Sequence, residues 1–580
     1  MRAYLRTTLF LVLFPLLLAS CNGDKPGAPN FTITLQPQVL ELLIGEPGSL
    51  TVKLSRSGGF AGAVTVTLAG ETTGLAYDPI TISDTESEGT LTIVAQDGAT
   101  IGTSFPVVKA TGGGLERLET LTLRLSVPKA EVTSVSIEDN EGSKQVRQGA
   151  GSVNLSVTGR HLERVTGITL GELAVAFTAS EDGTTLMVSA AIPHGAPLGN
   201  KTLMLTTAGG TTTVPEALVV TPITAGPAGD DVVGQGTPQR PYRSLKTALA
   251  VWREGDTVYL QNGLYSAASG EQWPSQSGTP PTVLPGPNVP AGAVIMGESA
   301  TEVVLEGSGG GSAGLAFAGD ASVSNLTLRG FARAVLANTG TVTLEAIRVL
   351  ESGDGLFAYG NVTLSGNASE LAANTNGLVS SAGAVVTLEE TAVYDNAEAG
   401  IILNQAPSVT LRRVQLHRNQ TGIRASGDAA LTIENSAIFN HTDSGLRAEG
   451  NARVRLQASE VHNNTRFGLV FSGAELTLRG TKVYANLEGG AGVYIEGDPS
   501  KVDLGTLSEP GLNEIYDNLG VQLLDARPDR QEPNLVFITL SETRLNGLLL
   551  EPGVYLAEGT PYFNVPYFAI LGVNNGIRVY

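Results

Sequence analysis

The sequence predicts an all-β protein: two β-sandwiches in series, then a parallel β-helix closed at its N-terminal end by a short capping helix. Three observations carry this expectation. Short segments between Phe31 and Val220 alternate apolar and polar residues with a period of two, the pattern of strands with one buried face. From Val342 onward, a Val-Thr-Leu triplet and a Gly-Leu pair each recur about every 23 residues. Between these regions, Ser244 to Glu254 has the period of a helix.

Composition fits an ordered, turn-rich chain. Of 580 residues 71 are glycine, 16% are charged and the mean hydropathy is +0.09, which excludes a disordered polyelectrolyte. The net charge of −20 and pI near 4.8 argue against nucleic acid or bare anionic lipid as partners, because both are bound by positive charge.

The N-terminus predicts export and anchoring. Arg2 and Arg6 precede an apolar run, Leu9 to Leu18, that is too short for an ordinary membrane span, and Ala19-Ser20 supply small residues before Cys21. Cys21 is the only cysteine, so no disulfide framework is possible within the chain. Leu18-Ala19-Ser20-Cys21 resembles the lipobox of bacterial lipoproteins. That resemblance implies removal of residues 1–20, acylation of Cys21, and a chain held in the cell envelope by lipid.

After a linker, residues 21–30, the strands Phe31-Thr-Ile-Thr-Leu35, Leu50-Thr-Val-Lys-Leu54, Val64-Thr-Val-Thr-Leu68 and Leu121-Thr-Leu-Arg-Leu125 predict a sandwich over 31–128. "SRSGGFAGAVTVTL" (Ser55 to Leu68) is similar to bacterial immunoglobulin-like repeats. A second all-β unit is expected over 129–222, where "VNLSVTGRHLERVTGITLGELAVAF" (Val153 to Phe177) resembles the IPT/TIG immunoglobulin-like fold. Both resemblances imply spacers. His161 and His194 lack a metal-binding neighbour in sequence and are expected to be ordinary loop residues.

The remainder, 223–580, is expected to be the β-helix. Ser244 can cap a helix whose Leu245, Ala248, Leu249 and Trp252 share one face and which Gly255 ends. "GQGTPQRPYRSLKTALAVWREGDTVYLQNGLYSAASGEQWP" (Gly234 to Pro274) resembles the start of an uncharacterised bacterial family of pectin-lyase-like right-handed β-helices. The break in period at Leu523 to Gly553 resembles that family's closing segment, and the likeness implies end caps but no established chemistry.

The repeat itself follows from the residues. Gly355-Leu, Gly377-Leu, Gly400-Ile, Gly422-Ile, Gly445-Leu, Gly468-Leu, Gly492-Val and Gly520-Val form one phase, and Val-Thr-Leu triplets at Val342, Val362, Val386 and Val409, with variants at Leu431, Val454, Leu476 and Val502, form another. Such short strands bury their apolar side chains only by stacking on the next repeat, at a rise of about 4.8 Å. In this register Thr343, Thr363, Thr387, Thr410, Thr432 and Thr477 form an outward column. Asn396, Asn419, Asn464, Asn486 and Asn518, with His441 standing in once, occupy one turn. Both columns are expected to be scaffold.

Function then belongs to the outer surface, where two columns are candidates. One is Tyr394, His417, Phe439, His462, Tyr484 and Tyr516, offering aromatic rings to sugars; the other is Phe357, Val379, Ile402, Arg424, Arg447, Val470 and Tyr494, whose arginines could fork onto carboxylates. Arg424, Arg447, Tyr494, Tyr394, His417, His462 and Tyr484 are therefore the expected ligand-binding residues of a non-catalytic, polysaccharide-binding or adhesion-type surface protein, with no cofactor. The alternatives are a polysaccharide lyase or glycoside hydrolase, which could use calcium, and a purely structural surface protein. Catalysis requires carboxylates gathered on neighbouring coils. Asp354, Asp395, Asp443 and Asp517 do not align in pairs, and the column Glu345, Ser365, Glu389, Arg412, Glu434, Gln457 and Arg479 alternates in charge as cross-coil ion pairs do.

Overall fold

The computed structural model describes residues 27–138, 142–275, 288–487, 491–497, 501–505, 509–519 and 521–525, with short strands at 538–539, 544–545, 548–549, 553–555 and 577–579. Cys21 and most of the expected closing segment lie outside the described residues.

Two mainly antiparallel β units come first, each with its own core and one parallel strand pair. In the first, Asn30–Gln36, Pro47–Ser57, Glu88–Ala95 and Leu75–Tyr77 form one sheet, and Leu115–Thr120, Val107–Gly112, Val64–Ala69 and Ile80–Ile82 another. Alternation puts Phe31, Leu50, Val52, Val64, Leu91 and Leu123 wholly inside. In the second unit, Glu131–Ile137, Gly151–Arg160, Thr185–Ile192 and Val175–Ala179 form one sheet, and Gln145–Arg147, Gly210–Thr221, Gly199–Thr207 and Gly167–Leu170 the other, around Leu155, Val157, Leu186, Val188 and Leu203.

A parallel β-solenoid starts at Ile223–Ala225, which pairs with Thr257–Leu260. The one α-helix among the described residues, α1 (Leu245–Val251), packs its Leu245 and Ala248, with the following Trp252, into the apolar core of the first coils. Ser244 caps it through Thr247 N–H. The helix ends at Trp252 rather than at Gly255, because Trp252 turns extended and its indole N–H donates to Asp256 O at 2.9 Å.

Each full coil contributes three strands, and like strands stack in parallel. The first face carries the glycines (Ala399–Asn404, Thr421–Ala425, Leu446–Glu449), the second the threonines (Ser408–Arg412, Ala430–Glu434, Arg453–Gln457), and the third the aromatics (Gln415–His417, Ala437–Phe439, Glu460–His462). Inside, side chains stack kind on kind: Leu388, Leu411, Ile433, Leu456 and Leu478 form one fully packed row. The glycines are required by backbone proximity. A Cβ on Gly422 would lie 2.2 Å from the carbonyl oxygen of Gly445 in the next coil, and the same contact recurs at Gly377, Gly445 and Gly468.

One expectation about the outer columns needs correction. Thr363 pairs with Thr341 and Val385, whereas Ser365 lies between Thr343 and Thr387, and Asn367 takes the place expected for Ser365 between Glu345 and Glu389. The corner at Gly360, with φ +73°, turns early in that coil, so its Val-Thr-Leu slides by two residues. A slip of two preserves alternation, so Leu364 remains buried.

Two corners per coil are sharp. After the aromatic strand, Glu351, Ala373, Asp395, Arg418, Asn440, Asn463, Ala485 and Asp517 all have φ between 51° and 58°, an unfavourable region for most of these residue types. The next residue is an asparagine at six of these corners and Ser352 or His441 at the other two, and it is buried. Asn396 Nδ2 donates to Asn419 Oδ1 at 2.8 Å, Asn464 to Asn486 at 2.8 Å and Asn486 to Asn518 at 2.7 Å, while each Oδ1 also accepts the backbone N–H of the preceding rung. The ladder also includes Asn374 and Ser352, which the sequence reading had not placed in it. The stretch from rung to glycine varies, from two residues between Asn419 and Gly422 to five between Asn486 and Gly492.

At the other corner, after the threonine strand, a hydroxyl ladder does the same work. Ser436 Oγ accepts Val414 N–H at 3.0 Å and Ser459 Oγ accepts Ser436 N–H at 3.2 Å, each hydroxyl donating to the carbonyl two residues before it.

His441 completes the amide ladder as a neutral imidazole. Its Nδ1 accepts Asn419 N–H and its Nε2 faces Leu416 O, both at 3.1 Å, which fixes the tautomer with the proton on Nε2. Burial lowers its pKa to about 4. The unfolded value is about 6.5, so between these values the folded state binds fewer protons than the unfolded one. The neutral ring's contribution is complete above pH 6.5 and is lost as pH falls to about 4, by roughly 3 kcal/mol. His441→Asn, which keeps the ladder, is expected to abolish that part of the acid loss. Urea unfolding of both proteins at pH 7, 5.5 and 4 measures it; parallel losses would assign the acid sensitivity elsewhere.

Candidate functional site

The seven expected ligand-binding residues occupy two different faces of the solenoid. Tyr394, His417, His462 and Tyr484 lie on the aromatic face; Arg424, Arg447 and Tyr494 lie on the glycine face, beyond the asparagine corner.

On the aromatic face the rings stack on one another. Tyr394 and His417 are 4.9 Å apart at 9°, Phe439 and His462 5.0 Å at 5°, His462 and Tyr484 4.8 Å at 9°, and Tyr484 and Tyr516 5.1 Å at 7°. This corrects the expectation of exposed flat rings: in parallel register, neighbouring rings cover each other's faces and leave their edges outward. The edges are tied down as well. Tyr394 Oη donates to Glu370, which Arg348 Nε also binds at 2.5 Å, and Tyr484 Oη donates to Glu460 at 3.0 Å. Burial, with help from Glu460, pushes Tyr484 up to about 12, and burial holds His417 and His462 below the usual imidazole range.

On the glycine face the predicted column is continuous: Phe357, Val379, Ile402, Arg424, Arg447, Val470 and Tyr494 pair in sequence across six coil steps. Val470 is fully buried despite its outward register, next to the Phe467 and Tyr494 rings stacked at 5.1 Å. Phe357 receives the Arg333 guanidinium at 4.2 Å from its centroid.

The arginines differ in their partners. Arg412 pairs with Glu434 at 3.0 Å, Arg413 with Glu390 at 3.0 Å, Arg418 with Asp395 at 2.7 Å and Arg466 with Asp443 at 3.3 Å, all across coils. Arg447 reaches Glu449 at 3.4 Å within its own strand. Among the described arginines of 329–479, Arg424 and Arg455 alone have no carboxylate partner, and Arg424 makes only 3.4 Å contacts to Gln420 Oε1 and Thr421 Oγ1. Three of the four aspartates singled out in the sequence are ion-paired: Asp354 with Arg333, Asp395 with Arg418 and Asp443 with Arg466. No three His, Cys, Asp or Glu side chains converge as a metal site among the described residues.

A cavity of 460 Å³ lies beside α1, lined by Leu249, Glu271, Trp273 and Val289 among others. Glu271 accepts the N–H groups of Leu245 and Lys246, at 2.5 and 3.3 Å, and burial pushes it up to about 7. None of the expected site residues lines it.

Residues 335–506 match the family model of the right handed beta helix region. Solved structures similar to the chain include the A-module of the mannuronan C-5 epimerase AlgE6 of Azotobacter vinelandii, with 17% identity, TM-score 0.39, and coverage of 50% of this chain and 85% of that one. The periplasmic alginate epimerase AlgG aligns with 12% identity and TM-score 0.34, over 48% of this chain and 66% of its own. The catalytic unit of a GH87 α-1,3-glucanase from Streptomyces thermodiastaticus aligns with 12% identity and TM-score 0.37, over 83% and 86%. No curated protein matches the chain.

The aromatic stack can be tested as scaffold. Phe439 contacts His417 and His462, so Phe439→Ala is expected to remove about 2 kcal/mol of stability. It should also raise the pKa of both histidines as their rings gain water. Chemical denaturation and NMR titration read the two effects; unchanged histidine titration would show that Phe439 does not shield them.

Proposed function

We propose that the protein is a cell-envelope lipoprotein whose solenoid binds an acidic polysaccharide on its glycine face without cleaving it. The observation that carries this reading is Arg424, an arginine without a carboxylate partner on the glycine face, whereas Arg418 and Arg466 are paired with Asp395 and Asp443. Arg447, the next rung, is held only by an exposed glutamate at 3.4 Å, and Tyr494 stands two rungs further along. A guanidinium pair at successive rungs suits planar anions such as uronate carboxylates. The aromatic face, with its ring faces covered, is assigned to scaffold. In this reading α1 caps the N-terminal end, acylated Cys21 is the anchor, and the two β units are immunoglobulin-like modules that carry the solenoid away from the membrane.

Arg424→Ala with Arg447→Ala is expected to weaken binding to an acidic glycan such as polyuronate at least tenfold, since a hydrogen bond to a charged group contributes about 1.5–3 kcal/mol. The salt dependence should fall too, because exposed charges are screened over about 10 Å at 0.1 M. Isothermal titration of both proteins at two salt concentrations measures this. Unaltered binding moves the site elsewhere, and new reducing ends or unsaturated uronates after long incubation, with or without calcium, overturn the non-catalytic reading.

Cys21→Ser is expected to abolish labelling by a fatty-acid probe and to shift the protein from the membrane to the soluble fraction. Unchanged fractionation would remove the anchor from this reading.

A further inference from the structure

The second β unit meets the solenoid without a linker. Its last strand, Gly210–Thr221, is separated from the first solenoid strand, Ile223–Ala225, by Pro222 alone, a residue with restricted φ and no N–H. Two further segments of the same unit grip the solenoid's first turn. Gln148, buried to 3% exposure, donates through Nε2 to Ala196 O within its own unit and accepts Thr257 N–H of the solenoid through Oε1, both at 2.8 Å. His194 and Gly195 converge on the fully buried Asp256 carboxylate: Nδ1 of His194 lies 2.5 Å from Oδ2, and Gly195 N–H donates to Oδ1 at 2.9 Å.

Asp256 is tied equally firmly on its own side. Its Oδ2 accepts Arg253 N–H at 3.0 Å, and its carbonyl accepts the Trp252 indole, whose ring lies in the core of the first coils. Beside it the two backbones touch. A Cβ on Gly255 would be 3.0 Å from Gly195 Cα, so the two backbones pass too closely to admit a side chain there. A buried carboxylate is tolerated only while its hydrogen bonds are made, so separation of the two units would leave Asp256 without two partners from the second unit.

The joint between the first and second β units is of another kind. There Arg164 meets Asp97 at 3.0 Å and His161 meets Glu46 at 3.7 Å, with the two acids 81% and 50% exposed. Exposed pairs of this type hold weakly.

We infer that the second β unit is the structural end piece of the solenoid, pinned through Asp256, and that the two open as one cooperative body while the first unit opens separately. Asp256 and Gln148 are positioning residues of this joint. The unit that would otherwise be a spacer thereby holds the turn that leads into Thr257–Leu260, while the edge of the first strand, Ile223–Ala225, is paired by Gly236 and Tyr242 of the solenoid itself.

The test uses the full chain. Hydrogen exchange against urea, followed at Leu155 and Val188 in the second unit and at Ile423 and Leu446 in the solenoid, is expected to show one shared opening in the wild type, with the first unit's Leu50 and Leu91 opening separately. Asp256→Ala should split the shared opening, releasing Leu155 and Val188 at lower urea than Ile423 and Leu446. Gln148→Ala, which removes no charge, should split it less and serves if the Asp256 variant fails to fold. Independent opening of the two groups in the wild type overturns the inference, as does shared opening that survives in the folded variants.

Discussion

The buried amide ladder is the interaction on which the solenoid depends. At this corner the backbone must reverse in one residue, and in the described coils it does so in the left-handed region on glutamate, alanine and arginine as well as on asparagine and aspartate. Such a conformation is unfavourable by roughly 1 kcal/mol or more for side chains without a local hydrogen bond. The following side chain offsets this by satisfying backbone N–H groups that the turn leaves unpaired, and it does so across coils. Each rung is thus completed by the next, and a single coil has no means of holding its own corner.

This dependence accounts for what was legible in the sequence. Ladders repeat a residue type at a fixed interval, so the asparagines, the inward aliphatics and the outward arginine column were visible as periodicity. The left-handed corners were not, because Ala373, Arg418 and Ala485 carry no mark of their conformation. The hydroxyl ladder was written plainly enough in Ser436 and Ser459, but small polar residues are common in turns and did not stand out. The slip at Thr363 preserved alternation and therefore left no signature in the pattern. Of the candidate site, position was readable and environment was not: register placed Tyr394 and His417 outside, but stacking covered their faces. His194, expected to be an ordinary loop residue, gains its role from Asp256, 62 residues away.

Charge is distributed by the same geometry. In parallel register, like residues recur on the same line, and a line of one sign would repel itself along the axis. On the threonine and aromatic faces acids alternate with arginines, so that most cations there are already engaged, whereas Arg424 and Arg447 are paired rungs on the glycine face. With a net charge of −20, the molecule as a whole repels polyanions at long range. Recognition of an acidic chain by such a protein therefore has to be short-ranged and local, which is the situation of Arg424.

The stretch between amide rung and glycine is fixed at both ends and differs in length from coil to coil. The rung is fastened to its neighbour coil and the glycine lies against the next carbonyl, yet two residues suffice to join Asn419 to Gly422 and five are accepted between Asn486 and Gly492. Sequence length can thus change there without disturbing the stacking of a single strand. In evolutionary terms the solenoid has a site for growth on every turn, bordering the face that carries Arg424 and Arg447, where new loops can arise one at a time while the core beneath them stays in register.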